Sequence, residues 1–209
     1  MENDKIRIRT PEELEVRKKE FLIICDVLEE LKIKYFLQTG ILLGAVRDND
    51  FIKWDWDIEI SVFSKDFLPR IHIVANSLKK KGFRILNINE KKNDSKIDFI
   101  GEFEENVTGY TIFSWNYSKL LKKYWRRELS VPEKFLKDFS SVNFLGKKFN
   151  CPNNPEQYLE FAYGNWKIPL RTADKNLYNT NKFKNKPISY LKELKNKLIV
   201  QISKFTQKL

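Results

Sequence analysis

The spacing of apolar residues changes period along this chain, and each change marks an element. Leu14, Phe21, Leu22, Cys25, Leu28 and Leu31 recur near helical spacing, which predicts a helix with one buried face. Thr10-Pro11-Glu12-Glu13, just ahead of them, supplies an N-cap, a first-turn proline and a capping-box glutamate. "KYFLQ" then reads as a short strand, and Gly40 opens "ILLGAVR", a short apolar helix. In "WDWDIEIS" the period drops to two: Trp54, Trp56, Ile58 and Ile60 alternate with Asp55, Asp57 and Glu59. Alternation of that kind predicts a strand carrying its acids on one face.

Further along, "KDFLPRIHIVANSLKKKG" predicts a helix that stops at Gly82. "FRILNI", "KIDFIGEF" and "YTIFSW" predict strands, and Leu120 to Phe139 reads as mixed helix and loop. "VNFLGKKFNCP" predicts a hairpin, and Asn154-Pro155-Glu156 starts a helix over "EQYLEFAYG" that ends at Gly164. The order of elements predicts a mixed α/β (α+β) domain over residues 1–181. In the remaining stretch, 182–209, Ile188, Leu191, Leu194, Leu198, Ile202, Phe205 and Leu209 share one helical stripe among lysines. This predicts a basic amphipathic C-terminal helix, either packed on the domain, paired with another subunit, or lying peripherally on an anionic membrane surface.

Composition narrows the function classes. With 209 residues, 42% of them hydrophobic, the chain has material for a real core. The net charge is +11, but the eight lysines from Lys182 onward, against Glu193 alone, carry +7 of it. Residues 1–181 keep only about +4, so the main domain gives little reason to expect nucleic acid as a partner. No stretch approaches the roughly 20 apolar residues that span a bilayer. The N-terminal segment has no apolar run of the signal-peptide kind, and Cys25 and Cys151 have no disulfide-framework or metal spacing. These features set a cytoplasmic expectation, with peripheral contact at the inner face of a membrane through the C-terminal helix.

Three acids on one strand face repel one another at short range unless cations offset them. A Mg²⁺ ion meets that need, because it takes oxygen ligands and commonly combines one or two carboxylates with substrate phosphates. Asp57 and Glu59 share a face, with Asp55 just upstream. Asp98 in "KIDFI" is the candidate third carboxylate from a neighbouring strand, with Glu102 one period further on. A solvated strand face balanced by Lys and Arg is the plainer reading of the same pattern.

"YFLQTGILLGAVRDNDFIKWDWDIEIS" resembles the signature of the LicD/fukutin-related family, a branch of the nucleotidyltransferase superfamily. Gly40, Leu42, Leu43, Gly44, Ala45, Arg47, Ile52, Trp54, Asp55 and Asp57 fall on its pattern, "KIDFI" matches a later strand, and "EQYLEFAYGNWKIPLR" resembles a C-terminal element. The resemblance spans roughly residues 33–178 and implies a nucleotidyltransferase-like mixed β-sheet flanked by helices. It further implies an enzyme moving a substituted phosphoryl group, such as phosphocholine or a polyol phosphate, from a CDP-linked donor to a glycan or sugar acceptor. Asp57 and Glu59 are then Mg²⁺ ligands (Mn²⁺ being the alternative ion), and Asp98 is a third ligand or the general base. Gly40 lets backbone approach the donor phosphates at a helix N-terminus, and Asp55 and Trp166 join the substrate-binding set. Arg47 contacts a phosphate oxygen or pairs with an acid of the triplet. Ile41, Asp48, Lys53 and Glu59 depart from the family's usual Thr or Ser, His, Pro and Asp. Two other functions stay open: nucleotidyl transfer to RNA, protein or a sugar phosphate, and a non-catalytic basic binding module.

His72, the one histidine, lies in a predicted helix and offers no material for a His-based mechanism. "KKYWRREL" mixes aromatic with basic residues and fits either a glycan or phosphate contact or a solvated helix face.

Overall fold

In the structure, a computed structural model, residues 6–101 and 108–172 are described. The predicted C-terminal helix and Glu102 lie outside them. The first helix, α1 (Pro11–Glu30), begins as its sequence dictates: the Thr10 hydroxyl accepts from the Glu13 amide, and the Glu13 carboxylate accepts from the Thr10 amide. After it come β1 (Tyr35–Leu37), α2 (Thr39–Arg47) and the acidic strand β2 (Asp57–Phe63). Pro69 divides the next helical stretch, so α3 (Ser64–Phe67) passes through a single 3₁₀ turn into α4 (Ile71–Lys80). Gly82, at φ +96°, lets the chain leave α4 toward β3 (Arg84–Asn89).

Strands β3, β4 (Lys96–Ile100) and β5 (Gly109–Ser118) complete the main sheet, in the order β1-β2-β5-β4-β3. Pairing is parallel between β2 and β5 and antiparallel elsewhere, so the sheet is mixed as predicted. One face of it, formed by Ile58, Ile60, Ile97, Phe99, Tyr110 and Ile112, is buried. Phe83 meets Phe99 and Tyr110 edge-on there. The opposite face carries the predicted acids.

The stretch Leu120 to Phe139 differs from the expectation. It forms a hairpin, β6 (Lys123–Arg126) and β7 (Leu129–Pro132), continuing from β5, with one helical turn, α5 (Glu133–Leu136), behind it. Its tight turn is made by Arg127 and Glu128, and Arg127 takes a left-handed φ of 45°. Turn signals rest on Gly, Asn and Asp, and none stands here. The predicted later hairpin is present as β8 (Phe139–Phe144) and β9 (Lys147–Pro152), turning through Leu145-Gly146, both at positive φ. Phe144 and Phe149 of this hairpin pack with Phe21 of α1 and Phe51 into one aromatic cluster. The last described helix, α6 (Pro155–Tyr163), is capped by Asn154 and closed by Gly164.

Candidate active site

Register gathers the predicted carboxylates. Glu59 on β2 and Asp98 on β4 both pair with Thr111 of β5, so all three side chains stand in one row on one face. Asp57 stands one row nearer the start of β2, opposite Gly109. That partner has no side chain, so β5 places none directly opposite the Asp57 carboxylate.

Asp55 sits where the chain enters β2, against the first turn of α2. A methyl group added at Gly40 would collide with its carboxylate. Gly40 is therefore required for this approach of helix to acid. Burial pushes the Asp55 carboxyl up to about 7, the charge of Asp57 adds to the rise, and Arg17 opposes it. Glu59 adds a smaller rise of the same sign.

Two arginines that the sequence reading passed over hold this stretch in place. Arg9 Nε and Nη2 donate to the carbonyls of Asp55 and Trp56, both at 3.0 Å. Arg17, fully buried in α1, donates from Nη2 to the Asp55 carbonyl at 3.0 Å and from Nε to Thr108 at 3.4 Å. Burial lowers the Arg17 pKa to about 10, leaving it charged at neutrality. A signal for Arg17 was available: it falls on the same helical stripe as Leu14, Phe21 and Leu28, where a cation has no place without a buried partner. Glu20 is another buried polar residue of α1, accepting from the Tyr110 hydroxyl at 2.5 Å, and burial raises its pKa.

Asp98 is already engaged. It accepts from Thr111 and Asn87, each at 3.0 Å, and pairs with Lys96 Nζ at 2.6 Å. Burial pushes its carboxyl up, but the hydrogen bonds from Asn87, Lys96 and Thr111 outweigh that and hold it below the usual range. It is consequently a poor proton acceptor at neutral pH. Among the described residues, no three His, Cys, Asp or Glu side chains are gathered closely enough to hold a metal ion as they stand.

Two expected contacts take other forms. Arg47 does not pair with the acid triplet; it forks onto Asp48 at 2.8 and 2.7 Å and reaches the Trp166 carbonyl at 3.5 Å. The residue next to it in sequence, a departure from the family pattern, supplies the nearest carboxylate. Trp166 is buried among the core residues, so it anchors the segment after α6 through packing. Ile41 is buried as well, so its side chain faces the core. His72 is exposed and pairs with Glu90, away from the acids.

The family profile described as "LicD/FKTN/FKRP, nucleotidyltransferase domain" matches residues 32–154, more than half of the sequence and including Asp55, Asp57, Glu59 and Asp98. The chain belongs to this family. Among curated relatives of this LicD-type domain, mouse "Ribitol 5-phosphate transferase FKRP" is 26% identical over 154 residues, covering 68% of this chain and 30% of the relative. Human "Ribitol-5-phosphate transferase FKTN" is 28% identical over 166 residues, covering 75% and 34%. The chain thus spans about a third of the length of these relatives. Among solved structures, ANT(2″)-Ia in complex with adenylyl-2″-tobramycin is similar over 66% of this chain and 70% of its own, at a TM-score of 0.46 and 12% identity.

Proposed function

We propose that this chain is a divalent-metal-dependent transferase that moves a polyol phosphate, of the ribitol 5-phosphate kind, from a CDP-linked donor to a hydroxyl of a glycan acceptor. The observation that carries the reading is the acidic corner: Asp57 and Glu59 stand in successive rows of one sheet face, Asp55 lies just upstream against the Gly40 turn of α2, and Asp98 shares the row of Glu59.

The donor set suits a magnesium-type ion. All its atoms are hard carboxylate oxygens, and beyond the effect of burial Asp57 and Glu59 both raise the Asp55 pKa, a negative field that a divalent cation would relieve. Asp57 and Glu59 would hold it, two carboxylates sufficing when donor phosphates complete the shell. When bound, such an ion supplies charge neutralisation for the phosphates. Asp98, tied to Lys96, fits a positioning role better than that of a base. The N-terminal amides of α2, with no side-chain cap at Gln38, face the same corner and suit an anionic oxygen. In the transfer, the acceptor oxygen bonds to the phosphorus bearing the polyol. That phosphorus parts from its bridging oxygen, CMP leaves with the electron pair, and the hydroxyl proton passes to solvent.

The test is incubation of the full chain with CDP-ribitol, Mg²⁺ and a glycan acceptor. CMP should appear in step with ribitol phosphate on the acceptor, and Asp57→Asn should slow this roughly 100-fold or more. Release of ribitol 5-phosphate with cytidylyl group on the acceptor would replace this reading with nucleotidyl transfer.

A further inference from the structure

The basic-aromatic run "KKYWRREL" turns out to be the β6–β7 hairpin, and it brings Arg126 to the acidic face. The hairpin folds back antiparallel to β5, so its tip points toward the end of the sheet where Asp57 and Gly109 lie. The Arg127 amide ties that tip to the Asn93 carbonyl at 2.9 Å. The Arg126 guanidinium lies over the Phe113 ring at 4.1 Å from its centroid and pairs through Nη2 with Asp94 at 2.7 Å. Phe113 shares its face with Thr111 two residues earlier, so Arg126 stands over the row next to the Glu59–Thr111–Asp98 row. Lys96 is the register partner of Phe113 on β4 and reaches Asp98 from there. Two cations therefore border the acids on one side.

Arg126 is more than a structural ion pair would need. It is buried, and its Nε has no hydrogen-bond partner. Arg17 Nη1 is unpaired in the same way, but Arg17 is engaged by the Asp55 carbonyl and Thr108, whereas Arg126 lies on the acid face with its open donor beside the site. Among the fields acting on it is that of Glu59 across the site. A cation fixed by stacking and by one carboxylate, with donor capacity left over and facing carboxylates that suit a metal, has the form of a phosphate clamp.

Building on the phosphoryl-transfer reading above, we infer that Arg126, flanked by Lys96, binds a phosphate of the donor and that the β6–β7 hairpin exists to deliver it. The acids and any ion they hold take one side of the diphosphate; Arg126 takes the other.

Calorimetry of the full chain with inorganic pyrophosphate, CDP and cytidine, each with and without Mg²⁺, tests this. Arg126→Met keeps contact with Phe113 but loses the charge, and it should weaken pyrophosphate and CDP about 10- to 100-fold while leaving cytidine unchanged. Arg126→Lys should fall between, keeping charge without the fork. Arg127→Asn, which removes an equal charge next door, should bind as wild type does. If Arg126→Met is folded by circular dichroism and binds both phosphate probes as wild type does, the inference is overturned. It is equally overturned if Arg127→Asn weakens them as much, or if wild type binds neither probe under either condition. Should Arg126→Met unfold, Arg126→Lys decides: unchanged binding there overturns the inference. Phosphate binding lost in Arg126→Met, in a chain that releases no CMP from CDP-ribitol, would sink the transferase reading and leave this one standing.

Discussion

Asp55 shows most directly what the site does to its own residues. Its folded pKa, about 7, lies above its ordinary 3.8, so the folded state holds the proton more tightly than the unfolded chain. The stabilisation this gives is complete at acidic pH and disappears as pH rises from about 4 through about 7. Asp55→Asn removes that dependence. Its melting temperature relative to wild type should therefore be higher at pH 8 than at pH 5, read by thermal denaturation across the range. Gly40→Ala should lower the melting temperature at both pH values, since its added methyl group would collide with Asp55 Oδ2. The acids themselves were legible in sequence because a strand repeats every two residues, and Asp57 and Glu59 advertise a shared face. Arg9 was not, since its targets are backbone carbonyls distant in sequence that leave no trace in side-chain pattern, and the place of Arg17 on the buried stripe of α1 marked the residue but not its target.

Elements announced by local chemistry were read correctly, and those set by distant packing were not. The α1 start was legible because the cap is built from four consecutive residues, and Thr10→Ala should cost about 1 kcal/mol in chemical denaturation. The β6–β7 hairpin was not, because Arg127 occupies a left-handed turn position without the residue types that favour it. Its strands are short and only partly alternating, and they are held by Tyr117, Asp94 and Phe113 from elsewhere. The strain is local and reversible: Arg127→Asn should stabilise the chain by up to about 1 kcal/mol, seen as a higher denaturant midpoint.

At the scale of the molecule, one face of the sheet is spent on stability and the other on charge. Phe21 joins α1 to Phe51, Phe144 and Phe149, so it links elements far apart in sequence. Phe21→Ala should cost about 3–5 kcal/mol, measured as a loss in unfolding free energy. The charged face makes a separate demand. Adding Mg²⁺ should raise the melting temperature of wild type, and chelation should reverse it, while Asp57→Asn shows neither change. No helix among the described residues is long and apolar enough to cross a membrane. The mixed α/β class followed from element order, but which strand lies beside which did not. The parallel β2–β5 contact joins strands separated by β3 and β4, and loop lengths alone do not specify that.

The grip of Arg9 and Arg17 on the carbonyls of Asp55 and Trp56 also gives the chain a direction in time. A ribosome makes those two guanidinium groups before it makes the aspartates. As the nascent polypeptide emerges, its anionic segment meets counter-charges already made, one on the first helix and one just ahead of it, so the most self-repelling part of the protein need never wait unaccompanied for its partners to be synthesised.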